Sequence, residues 1–220
     1  MGPATIDVAG AATYHCDTVR VVRIVIAIVL VSVCASHGAD LSLEKTAEAW
    51  AICQSNAPAD PVARLAALGR GVELAEAAIA IDPQRARAHF ALFCNLAKQL
   101  ELAGLSWRSL QRLARVKATL ERALALAPGD PDILAAKGEM LRQLPMLLGG
   151  DTEEAERLLR RALERDPDHV AARLFLARLL VQDDRSTAEA EVARAVALAE
   201  SRGTPQDVAA ARALADDLRH

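Results

Sequence analysis

Ala155-Glu156-Arg157-Leu158-Leu159-Arg160-Arg161-Ala162-Leu163-Glu164-Arg165-Asp166-Pro167 carries a spacing that three other stretches of the chain repeat. Small, bulky and small apolar residues stand at Ala155, Leu159 and Ala162, with Pro167 closing the segment. Gly71, Ala75, Ala78 and Pro83 keep the same register, as do Val116, Leu120, Ala123 and Pro128; Ala188, Val192 and Ala195 keep it without the proline. Residues at i, i+4 and i+7 share one face of an α-helix. Small side chains there let a second helix approach closely. Proline then ends the helix, because it lacks the next donor and pushes the preceding residue out of the helical region.

Composition agrees. Of 220 residues, 52% are hydrophobic but only 3% aromatic, so an alanine- and leucine-built core is expected. Strong helix formers dominate after residue 40, and the chain reads as all-α. Net charge is −3 with both signs interspersed, and no basic face with interleaved aromatics argues for nucleic acid.

Working outward, residues 41–55 read as a first helix with Leu43, Ala47, Trp50 and Ala51 on one stripe. Asp60 caps and Pro61 opens a second helix, running to about Ile81 with Leu65, Leu68, Val72, Ala75 and Ile79 inward. Helices over 85–102 and 110–126 follow. Pro83 and Pro128 lie 45 residues apart, which implies an insertion near 104–108 when set against a repeat of about 34 residues. Asp130 caps the next helix, whose Leu134-x2-Lys137-Gly138-x2-Leu141 is matched by Arg173-x2-Leu176-Ala177-x2-Leu180. Asp151 caps the helix containing Ala155. Helices over 170–181 and 187–199 form the last pair, and 206–218 reads as a terminal cap with Gln206, Arg212, Asp216 and Asp217 outward.

These two spacings, W-x2-L-G-x2-Y-like and A-x3-F-x2-A-x4-P-like, resemble the first and second helices of a tetratricopeptide repeat. The resemblance implies a helical-hairpin solenoid of about four repeats over residues 40–220, ending in a capping helix. Leu144-Pro145-Met146-Leu147-Leu148-Gly149-Gly150-Asp151 is more specific. It resembles the loop before the penultimate repeat's second helix in the T component of TPR-associated TRAP transporters. That resemblance, over roughly residues 75–200, implies a periplasmic partner for a substrate-binding protein, handling apolar or carboxylate-bearing ligands. The alternative is a general periplasmic scaffold in envelope assembly or secretion.

Residues 1–38 read as a leader. Arg20 and Arg23 precede the apolar run 24–33, which is too short to span a bilayer and is followed by small residues. A buried strand is the competing reading. Translation is expected to start near Val19 to Val22, leaving Met1 as a mis-assigned start. Cys34 stands where a lipidated cysteine would be; cleavage after Ala35 and an uncleaved anchor are the alternatives. Each places the repeats outside the cytoplasm. Cys53 and Cys94 sit on predicted first helices, where a disulfide and two buried free thiols are both open.

First helices are expected to line a groove. Phe90, Cys94 and Lys98, then Glu139, Arg142 and Gln143, then Leu174, Arg178 and Gln182 are its candidate lining. Arginine forks there would suit a peptide or a ligand with an apolar body and a carboxylate. His89 is expected to pack in a helix interior. The five histidines are scattered, and no nucleophile, P-loop, zinc or cofactor motif is present, so no catalytic, metal or cofactor residue is assigned. An alanine-rich exposed face is compatible with a homo-oligomer.

Overall fold

The computed structural model describes residues 38–55, 58–103 and 107–219. The leader, with Cys34 and the start near Val19, lies outside the described residues. Within them every regular element is helical: α1 (residues 38–54), α2 (Pro61–Ile81), α3 (Ala86–Ala103), α4 (Trp107–Leu126), α5 (Pro131–Gln143), α6 (Thr152–Arg165), α7 (Val170–Leu180), α8 (Arg185–Arg202) and α9 (Pro205–Asp217). Neighbours in sequence pack as neighbours in space, giving four helical hairpins in a row with α9 laid across α7 and α8.

Aspartates start the helices. Asp60, Asp130, Asp151 and Asp184 each accept from backbone N–H groups of the first turn, and Thr204 with Asp207 forms a reciprocal capping box before α9. Each such cap is worth roughly 1 kcal/mol against alanine. At Gln206, Arg212, Asp216 and Asp217 the outer face of α9 is exposed, as a solenoid end requires.

All twelve positions of the repeated spacing are buried, from Gly71, Ala75 and Ala78 through to Ala188, Val192 and Ala195. They form the seams between helices. Gly138 shows how tight these seams are: a Cβ there would lie 2.7 Å from Leu159 Cγ and 3.0 Å from the Ala155 carbonyl oxygen. From α5 to α9 one continuous core runs through Leu134, Leu159, Leu176, Val192 and Leu214. Towards the N-terminus the core divides into two smaller clusters, one around Phe90, Leu120 and Ile133, the other around Ala49, Ala75 and Leu92.

Two stripes differ from expectation. On α1 the buried face is Ser42, Thr46, Ala49 and Cys53, while Leu43, Ala47 and Ala51 are exposed and Trp50 is half-buried. On α2 it is Arg64, Ala67, Leu68, Gly71, Ala75 and Ala78, with Leu65 exposed and Val72 and Ile79 half-buried. Close approach selects the small face over the bulkiest one; Thr46 bonds back to the Ser42 carbonyl of its own helix, and other polar groups bond across the seam. The Ser42 hydroxyl donates to the Ala78 carbonyl at 3.0 Å, and Asn95 Nδ2 donates to the Ala49 and Ala91 carbonyls at 2.9 Å each. Asn95 Oδ1 faces Gly71, where a Cβ would sit only 2.2 Å away.

The extra length expected near 104–108 is carried in the flanking helices. Three residues separate α3 from α4, and the extra chain is taken up as helix: these run 18 and 20 residues, against 13 and 14 in α5 and α6. Added turns satisfy their own backbone groups, whereas a long loop would need other partners. His89 is half-buried rather than packed, its Nε2 lying 3.0 Å from the Pro83 carbonyl oxygen.

A polar ladder joins the starts of α3, α5 and α7. Arg87 pairs with Asp130 at 3.0 Å and with Asp132 at 2.6 Å, and His169 Nε2 reaches Asp132 at 2.9 Å. His169 also caps α7, its Nδ1 accepting from the Ala172 N–H at 3.1 Å. That fixes the neutral tautomer: the proton is on Nε2, donated to Asp132. The hydrogen bond from His169, aided by Arg87, lowers the Asp132 carboxyl to about 2 despite partial burial.

Candidate functional site

Ten residues beyond Pro128 and Pro167, α5 and α7 carry Gly138 and Ala177; ten residues beyond Pro83, α3 carries Phe93. An aromatic ring thus stands in α3 where the other two first helices carry a small residue. The backbones of α5 and α7 run close together, whereas those of α3 and α5 scarcely approach, and α4 meets α5 over a short stretch only. A cavity of about 630 Å³ opens between them.

Its wall is mostly apolar. Phe93, Ala97 and Leu100 of α3 face Leu113 and Val116 of α4, with Ala136 and Met140 of α5 opposite. Phe175 of α7 and Pro145 and Leu148 of the turn after α5 complete it. An aromatic row leads inward from Phe93 through Phe90 to Trp50 of α1, with ring centroids 5.9 and 5.1 Å apart.

Charged groups border this wall and are already engaged. Arg142 Nε and Nη2 donate to the Glu139 carboxylate at 2.7 and 2.8 Å, and Gln143 donates to it at 2.6 Å. The pairing raises the Arg142 pKa against the opposing effect of burial. Lys98 Nζ donates to the Cys53 carbonyl at 2.8 Å. Burial, then the nearby Arg64 guanidinium, holds the Lys98 pKa below its ordinary value, with Glu101 pulling the other way. Cys53 and Cys94 are joined as a disulfide with Cα atoms 6.0 Å apart, which ties the end of α1 to the cavity wall.

The residues expected to line a groove separate into three groups. Cys94, Lys98, Glu139 and Gln143 border the cavity. Phe90 and Leu174, each 4% exposed, are core residues instead. Both stand seven positions after a repeat proline, as does Ala135 at 1%, so this register faces the stack in all three first helices. Arg142 and Arg178 stand outside the wall. Arg142 is paired with Glu139, and the Arg178 guanidinium lies over the Phe175 ring, 5.9 Å from its centroid. Gln182 is exposed in the turn after α7. Phe93, Met140 and Phe175 went unassigned; aligning the three repeat prolines marks Phe93 at once.

The turn after α5 is firmly built. Met146–Leu148 forms one 3-10 turn, ended by Gly149 at φ 88°, a left-handed conformation open to glycine. Lys117 Nζ donates to the Leu148 carbonyl at 3.1 Å, and the Gly150 and Asp151 amides donate to Pro145 and Leu141. A Cβ on Gly150 would lie 1.8 Å from the Leu144 carbonyl oxygen. This turn holds Met146 and Leu147 out into solvent, 87% and 99% exposed.

Among known proteins, residues 146–215 match the model of the tetratricopeptide repeat family. The chain is similar in structure to TTC0263, a thermophilic TPR protein in Thermus thermophilus: TM-score 0.55 at 22% identity, over 75% of this chain and 84% of that one. Weaker likenesses are to a MamA RS-1 ArsTM double mutant (TM-score 0.43, 19% identity, 67% and 78% covered) and to YrrB, a TPR protein with an unusual peptide-binding site (0.35, 16%, 69% and 87%). Only the first bears on the backbone. No curated protein matches the chain. The fold is a tetratricopeptide-like solenoid of helical hairpins.

Proposed function

We propose that this chain is an exported interaction scaffold, an accessory tetratricopeptide subunit of a TRAP-type transporter that binds the substrate-binding component. The observation that carries the reading is the turn after α5. Exposed apolar side chains scattered singly are ordinary, but Met146 and Leu147 stand together on a hydrogen-bonded, glycine-locked support beside an apolar cavity. A rigid apolar knob contributes contact area at little ordering cost, which is what a recognition surface needs. The Leu-Pro-x-Leu-x-Gly-Gly-Asp pattern that builds it is the feature shared with the T component.

Affinity capture from envelope extract, comparing the native chain with Leu147→Ser, tests this. Recovery of a periplasmic substrate-binding protein by the native chain, reduced at least tenfold by the substitution at unchanged helix content, is the expected outcome. Recovery of envelope-assembly or secretion proteins instead would move the reading to a general scaffold. A native chain found in the cytoplasm would end both.

A further inference from the structure

We infer that the cavity between α3, α4 and α5 is a binding site for a small uncharged apolar molecule, one carrying no ionised head group. This goes beyond the partner role and stands without it. About 630 Å³ lies within the range of about 300–1,000 Å³ in which small ligands are enclosed. Phe93, Leu100, Leu113, Val116 and Met140 supply an apolar wall from three helices, and the Leu148 side of the built turn supports its edge.

The charge pattern selects the ligand. Among the described residues three ionisable side chains border the space, Lys98, Glu101 and Glu139. Glu139 receives Arg142 on both oxygens and Gln143 on one, and the Lys98 ammonium is bound to the Cys53 carbonyl with Glu101 nearby. A carboxylate entering here would meet two carboxylates and one engaged, half-buried ammonium. A cationic head would find Glu139 held by Arg142, and Glu101 exposed to solvent near the Lys98 ammonium. Either ion would leave water for a low-dielectric wall whose described charges are already engaged or, at Glu101, exposed to solvent, which is costly. An uncharged body has no such cost. The carboxylate ligand expected from the arginines is disfavoured because Arg142 and Arg178 are turned to Glu139 and Phe175.

The test uses one tail with three heads. The neutral fluorescent probe N-phenyl-1-naphthylamine is bound to the full chain at pH 8, then displaced by decan-1-ol, decanoate or decyltrimethylammonium. Decanol is expected to displace it at a concentration at least tenfold below that of either ion. Ala136→Trp and, separately, Leu113→Trp fill the space from opposite walls; each is expected to weaken probe binding at least tenfold with helix content unchanged. Val62→Ser, at the exposed start of α2 and away from the cavity, is expected to leave binding as it is. Decanoate as effective as decanol would overturn the charge argument. Probe binding retained in the folded tryptophan variants, or lost in Val62→Ser, would overturn the site itself.

Discussion

Hairpins α5/α6 and α7/α8 are compact and regular, while α3/α4 is longer and carries Phe93 where their first helices carry Gly138 and Ala177. In the first two, Gly138 and Ala177 leave room for a neighbouring helix, and a single core runs on to α9. In α3 the equivalent residue is Phe93, and the space beside it becomes a cavity. Repetition therefore supplies the solid part of this molecule, and the break in repetition supplies the part able to hold something else.

The largest test of this contrast is a pair of truncations on either side of it. Leu159→Ala removes a fully buried side chain from the tight seam and should cost about 3–4 kcal/mol in denaturant unfolding. Met140→Ala enlarges a space that is already open on one side and should cost less, about 2 kcal/mol. Equal losses would mean that the two regions are packed alike. Next, replacing both Cys53 and Cys94 by serine should lower stability by about 2–3 kcal/mol, since the bond closes a separation of 41 residues in the unfolded chain. Its effect should fall on the N-terminal hairpins, read as faster amide exchange in α1 and α3 than in α7.

The smallest expected effect concerns the ladder that crosses the boundary. The Asp132 carboxyl is lowered in the folded chain to about 2 from an ordinary 3.8. A depressed carboxylate adds stability above its unfolded value, and that stability is lost as pH falls from about 4 through about 2. Because 38% of the side chain is exposed, solvent screening limits the contribution to about 1 kcal/mol. Asp132→Asn should remove that much at pH 6 and flatten the acid side of the melting-temperature profile. An unchanged profile would show that the Arg87–Asp132–His169 contacts do not couple the hairpins.

Most of the fold was legible in the sequence because the signal is steric and local. A small residue spaced i, i+4, i+7 and a terminal proline can satisfy few other arrangements, and the aspartate caps are set by residues three positions away. The faces of α1 and α2 were not legible from hydrophobicity. Leu43 and Leu65 outweigh Ser42 and Gly71 on any scale of apolar character, yet volume decides which face can nest. The site was legible only in part for a related reason. Lys98 and Glu139 stand on the right face of their helices, but the sequence does not announce that Arg142 and Arg178 are already occupied, nor that a cavity opens where α3 and α5 fail to meet.

The thin junction between α4 and α5 has a mechanical consequence. In a stack where each unit touches only its neighbours, resistance to separation is set by the weakest joint. Here that joint is bridged mainly by Ile133 and Met140 on one side and Val116 and Leu120 on the other, with the salt-linked Arg87 alongside. A chain drawn out by its two ends should part there first, yielding a cross-linked front piece and an intact rear piece as two successive events.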